Sequence, residues 1–147
     1  MKIFSLVVLL VITTFCHAQV VKEAEVPAHV KATALKQNKN TPVQSWVLDK
    51  NRGKYIATTL TANALRGIEI SLDGKWLQTT ESILPQNMPQ TVMNAAKKAY
   101  PKHEFSNLFY VTQPDKASYY TVDASSDDED VTLTIDPTGK ILETEVQ

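Results

Sequence analysis

Cysteine is all but missing. The one cysteine of the 147-residue chain, Cys16, lies in an N-terminal apolar segment, so the remainder can form no disulfide, zinc-thiolate site or cysteine nucleophile. Glycine is scarce, with four residues, and no Gly-rich phosphate loop or nucleophile elbow occurs. Neither sign of charge dominates. Lys and Arg number 15 against 16 Asp and Glu, which leaves no basic footprint and counts against nucleic acid as a partner. Beyond the N-terminal segment only His29 and His103 remain of the three histidines. Neither has an Asp or Ser pattern around it or a second histidine at ligand spacing, so both read as surface residues. No catalytic residue, metal site or cofactor is implied, and the chain reads as non-enzymatic.

At 43% hydrophobic and 21% charged, the composition is that of an ordinary folding chain. Its first part is a targeting signal. Lys2 precedes an apolar run from Ile3 to Phe15, and Cys16-His17-Ala18 puts small residues where a signal peptidase reads them, so residues 1–18 are a secretory signal peptide cleaved after Ala18. A membrane span needs about 20 apolar residues, more than this run supplies, and no transmembrane anchor is expected. Lipidation of Cys16 is disfavoured by the bulky Phe15 before it. The mature protein is therefore placed in the periplasm or secreted.

The rest reads as two copies of one pattern. Val26-Pro27-Ala28-His29-Val30 and Met88-Pro89-Gln90-Thr91-Val92 open two segments alike, and Gly74-Lys75-Trp76-Leu77-Gln78-Thr79 corresponds to Gly139-Lys140-Ile141-Leu142-Glu143-Thr144 near their ends. Pro27 and Pro89 suit the first position of a helix, Val30 and Ala34 or Val92 and Ala96 supply an apolar stripe, and Thr41-Pro42 or Tyr100-Pro101 stops it. The period then changes to 2. Strands are predicted at 43–49, 54–60, 67–72 and 76–83, then at 105–112, 118–124, 131–135 and 141–146, paired as meanders through Asn51-Arg52-Gly53 and Asp73-Gly74. The expected fold is α+β: two tandem units, 19–84 and 85–147, each a helix packed on a four-stranded antiparallel meander sheet. The junction at 82–87 is short enough for the two sheets to continue edge to edge.

A two-residue turn at Asp73-Gly74 sets Leu72 opposite Lys75 and Ser71 opposite Trp76. Ile68, Ile70, Leu72 and Leu77 then face the helix, while Glu69, Ser71, Trp76, Gln78 and Thr80 face away. Pairing Ile135 with Lys140 in the second half places Val131, Leu133, Ile135 and Leu142 in the core. Thr132, Thr134, Ile141, Glu143 and Glu145 fall on the open side. Tyr55 and Tyr119 join that side by alternation, whereas Trp46 stays unassigned because its strand does not alternate cleanly. An open face of Thr, Ser, Gln and Glu with Trp76, Tyr119, Tyr55 and Ile141 set into it suits protein recognition, since aromatics bring contact area with a polar handle. The same aromatics also suit a solvated sheet. The run Ser125-Ser126-Asp127-Asp128-Glu129-Asp130 lacks the glycine and spacing of a calcium loop and reads as a solvated hairpin tip.

With its signal peptide, Val-Pro-x-x-Val helix start, alternating meander, Asp-Gly-Lys hairpin and duplication, the chain resembles the PepSY-like, beta-lactamase-inhibitor-like (BLIP-like) domains of exported bacterial proteins. The resemblance covers Val26 to Val146. It implies a non-enzymatic exported binding protein, inhibitor-like in form, that offers its open sheet face to another exported or envelope protein. A periplasmic carrier or sensor of a small ligand or ion, using the acidic tip or a cleft between the halves, is the alternative.

Overall fold

The computed structural model describes residues 18–147; the expected signal peptide, up to His17, lies outside the described residues. Nine strands and two α-helices follow one another: β1 (Ala18–Val21), α1 (Ala28–Gln37), β2 (Ser45–Asp49), β3 (Lys54–Leu60), β4 (Leu65–Ser71), β5 (Trp76–Ser82), α2 (Gln90–Ala99), β6 (Glu104–Gln113), β7 (Lys116–Ser125), β8 (Asp130–Ile135) and β9 (Ile141–Val146). All nine strands form one antiparallel sheet in sequence order. This corrects the expected two tandem helix-plus-four-strand units. Thr79↔Thr112, Thr80↔Val111, Glu81↔Tyr110 and Ser82↔Phe109 pair β5 with β6, so the ladder runs unbroken across the middle of the chain. Two separate sheets would each end in an edge strand there, and pairing those edges satisfies their backbone groups. The sheet also gains β1, absent from the sequence reading because Ala18–Val21 is short and abuts the apolar export segment.

The helices start one residue later than expected. Pro27 and Pro89 are extended (ψ 143° and 135°) and cap the helices rather than opening them. Each proline carbonyl accepts N–H bonds from the first turn, those of Val30 and Lys31 in α1 and of Val92 and Met93 in α2, all at 3.1 Å. The apolar stripe lands as the spacing predicts, with Val30, Ala34, Val92 and Ala96 fully buried. Past α1 the chain turns through Lys39 and Asn40, both at positive φ. Buried Asn38 secures that turn, its Nδ2 donating to the Thr41 carbonyl and to Thr59 Oγ1, each at 2.8 Å.

Two apolar clusters lie between the helices and one face of the sheet. The first joins Val26, Val30 and Ala34 to Trp46, Tyr55, Ala57, Ile68 and Ile70. The second joins Met88, Val92 and Ala96 to Leu108, Val122, Ala124, Val131, Leu133 and Ile135. Because α1 lies over β4 and β5 and α2 over β7 and β8, the opposite face of the sheet carries neither helix.

Candidate functional site: an open sheet face and a groove between the helices

Which side chains stand on the bare face is decided at two hairpins. In the first, the Ser71 N–H donates to the Lys75 carbonyl and the Gly74 N–H to the Ser71 carbonyl, both at 2.9 Å, with Gly74 at φ +86°. This is a three-residue connection with a left-handed glycine, one residue longer than the two-residue turn expected. Ile70 then faces Trp76, yet Glu69 faces Gln78, so Leu77 is an extra bulged residue. The second hairpin repeats the arrangement. The Asp136 N–H donates to the Lys140 carbonyl at 2.9 Å, Gly139 has φ +90°, and Ile135 faces Ile141 while Thr134 faces Glu143, leaving Leu142 as the bulge.

A one-residue slip moves a side chain to the other face. Trp76, expected on the open face, therefore packs half-buried against the first cluster and donates its indole N–H to Thr79 Oγ1 at 3.0 Å. Ile141 likewise packs against the second cluster. Leu72, Leu77 and Leu142, expected in the core, are 51%, 39% and 53% exposed. Tyr55 is buried beneath α1 with Ala57, so β3 has the opposite phase to that expected. Trp46 is also in the core, and among the described residues its indole nitrogen has no hydrogen-bond partner.

Tyr119 stands alone of the four expected binding residues on the bare face, alternating with Tyr120 and Val122 of the helix side. It pairs with Val111, which is buried outside both helix-side clusters. Burial raises the pKa of the Tyr119 hydroxyl, and the carboxylates of Glu69 on β4 and Glu143 on β9 raise it further. The same face carries polar pairs: Lys54 Nζ on Glu69, Gln113 Nε2 donating to Gln78 Oε1 at 3.3 Å, and Thr132 Oγ1 donating to Asp123 Oδ1 at 2.7 Å. Lys54 answers Glu69, leaving Asp123 and Glu143 as surplus negative charge in this group. Composition could not reveal the pairings within this patch, because its members come from seven strands, β3 to β9.

The helix side has a feature that the sequence reading missed. Between α1 and α2 neither helix covers the sheet, and two adjoining cavities of about 310 and 440 Å³ among the described residues share Lys39, Arg66, Glu81 and Tyr110. Arg66 Nε donates to Glu81 Oε2 at 3.1 Å across the paired strands, and Tyr110 lies against Tyr120 with ring centres 4.9 Å apart. Burial, then the neighbouring Tyr110, raises the Tyr120 pKa.

The acidic run closes the β7–β8 hairpin. Ser126 Oγ accepts the N–H groups of Asp128 (3.3 Å) and Glu129 (3.1 Å), and Asp127 to Asp130 are exposed. Among the described residues no group of three or more His, Cys, Asp or Glu is gathered as a metal site. His103 departs from its surface reading: its side chain is 13% exposed and meets Tyr100 edge-on at 4.9 Å. His29 is exposed, with Nε2 3.0 Å from the Leu72 carbonyl oxygen.

A single helix-backed antiparallel sheet with one bare face has relatives among solved structures, and its fold is BLIP-like. A BLIP-like protein from Bacteroides fragilis is similar at 18% identity and TM-score 0.70, over 82% of this chain and 86% of that one. A DUF2874 family protein from Bacteroides ovatus is similar at 22% identity and TM-score 0.72, over 82% and 86%. A protein from Bacteroides eggerthii, assigned by name provisionally to the periplasm, matches at 15% identity and TM-score 0.72, over 82% and 88%. At these identities the likeness is one of fold. No protein-family model matches the chain, and no curated protein does. Among the described residues no helix is long and apolar enough to cross a membrane.

Proposed function

We propose that this chain is a non-enzymatic exported binding protein, inhibitor-like in form, which presents its bare sheet face to another exported or envelope protein. The observation that carries this reading is the half-buried Tyr119, set among Glu69, Gln78, Gln113 and Glu143 on the face that neither helix covers. An aromatic with a polar handle inside a polar surround is the composition of recognition surfaces. Export rests on the cleavage signal after Ala18 and is in keeping with the name of the B. eggerthii structure. Membership of the PepSY-like family, with 19–84 and 85–147 as halves of an ancient duplication now joined in one sheet, rests on the matched helix starts and glycine hairpins.

Of the four residues first expected to bind, Trp76, Tyr55 and Ile141 serve the helix-side core, and Tyr119 is the anchor that remains. The test is affinity capture from the native envelope with mature wild type and Tyr119→Ala, followed by affinity measurement on the captured partner. An anchor loses about 2 kcal/mol or more of binding on truncation, with the melting temperature nearly unchanged. Equal affinity of the two proteins would remove Tyr119 from the site. The carrier reading is favoured by the groove over Arg66, Glu81, Tyr110 and Tyr120 instead. It predicts a co-purifying small molecule, detectable by native mass spectrometry and lost with Tyr110→Ala.

A further inference from the structure

Ala18 is the first residue of β1, so cleavage after Ala18 makes Gln19 the mature N-terminus and the first residue of an outermost strand. Gln19 still pairs with Leu48, Val20 with Val47 and Val21 with Trp46. The Gln19 side chain is exposed, and among the described residues its amide has no hydrogen-bond partner. An N-terminal glutamine carries a nucleophile and an electrophile on one residue, at a separation that closes a five-membered ring. Such intramolecular closure has a large proximity advantage.

We infer that the mature protein is modified at Gln19, whose freed α-amine and side-chain amide condense to an N-terminal pyroglutamate. This rests on the export reading with cleavage after Ala18. The amine nitrogen attacks Cδ, a new N–Cδ bond closes the lactam, and the Cδ–Nε2 bond breaks. The departing nitrogen takes the proton shed by the amine and leaves as ammonia, with no change of oxidation state. Among the described residues no hydrogen bond to the Gln19 side chain has to break for the ring to close.

The fold also gives the modification a purpose. Chain ends are the usual points of proteolytic attack, and β1 after cleavage is only Gln19, Val20 and Val21. Val21 packs against the first core cluster and pairs with buried Trp46, so stepwise trimming from the end would uncover that core. A lactam removes the free amine that aminopeptidases bind and the charge at the head of an edge strand.

The test is the intact mass of protein freshly recovered from the native envelope. The expected species is one ammonia lighter than the chain Gln19–Gln147, resists N-terminal sequencing, and yields a sequence starting at Val20 after pyroglutamyl aminopeptidase. The same export of Gln19→Ala gives an unblocked protein at its full calculated mass. A wild-type protein at the full Gln19–Gln147 mass with a free amine overturns the modification while leaving the cleavage site intact. An N-terminus at any other residue overturns both.

Discussion

The turn glycine Gly74 lies directly against His29 at the start of α1: a Cβ added to Gly74 would sit 2.7 Å from His29 Cδ2. The contact is one of three that tie the hairpin tip to the helix. His29 Nε2 meets the Leu72 carbonyl at 3.0 Å, and Thr33 Oγ1 donates to the Gly74 carbonyl at 2.7 Å. In the other half Gly139 approaches α2 in the same way, with Thr91 Oγ1 donating to the Pro137 carbonyl at 3.2 Å. The glycines that set strand register therefore also seat each helix on its sheet.

Gly74→Ala is expected to destabilise the protein by about 1–3 kcal/mol, since it combines a left-handed φ with a close contact. The His29 ring is the obstacle, so His29→Ala in the same chain should recover the steric part and leave the backbone part. Additive losses in a double-mutant cycle followed by urea denaturation would mean the two residues are uncoupled.

Gly139→Ala should cost more than Gly74→Ala. Its added Cβ would lie 2.8 Å from the Thr91 carbonyl oxygen, and main chain in a helix cannot swing aside as a ring can. Urea midpoints for the two single variants compare them directly; a smaller loss at Gly139 would contradict the rigid-neighbour account.

Trp76→Ala is expected to lower stability by about 3 kcal/mol, the scale for removing a large aromatic from a packed site, because Trp76 covers the first cluster. Tyr119→Ala, on the bare face, should lower it less. Thermal melts of both variants read the difference, and the reverse order would place Trp76 on the open side after all.

The Asp136 carboxyl is held below its ordinary value of 3.8, first by the Thr138 side chain and then by the Lys140 backbone N–H. Thr138 Oγ1 donates to it at 2.6 Å and the Lys140 N–H at 2.9 Å. A depressed folded pKa means that this turn's contribution is fully present above the ordinary carboxyl pKa and is lost as pH falls through the depressed value. NMR titration of Asp136 should give a midpoint below 3.8, and Thr138→Val should move it upward. An unchanged midpoint in the variant would remove the hydroxyl as the main cause.

Local pattern carried the sequence reading wherever a residue's role depends on its near neighbours. Alternation in Val131-Thr132-Leu133-Thr134-Ile135 and the stripes Val30–Ala34 and Val92–Ala96 are set by strand and helix periods, and eight of the nine strands were legible for that reason. Tertiary structure decided the rest. The short junction at 82–87 permits β5 and β6 to join one sheet, but that they do depends on edges finding each other across a helix. The faces of Trp76 and Ile141 depended on whether Gly74 and Gly139 close three-residue turns and whether a bulge follows. Both outcomes are fitted to the seat each hairpin tip takes on His29 or Thr91, contacts between residues far apart in the chain. Since strand side chains alternate with a period of two, that single residue of register separates a core tryptophan from a surface one.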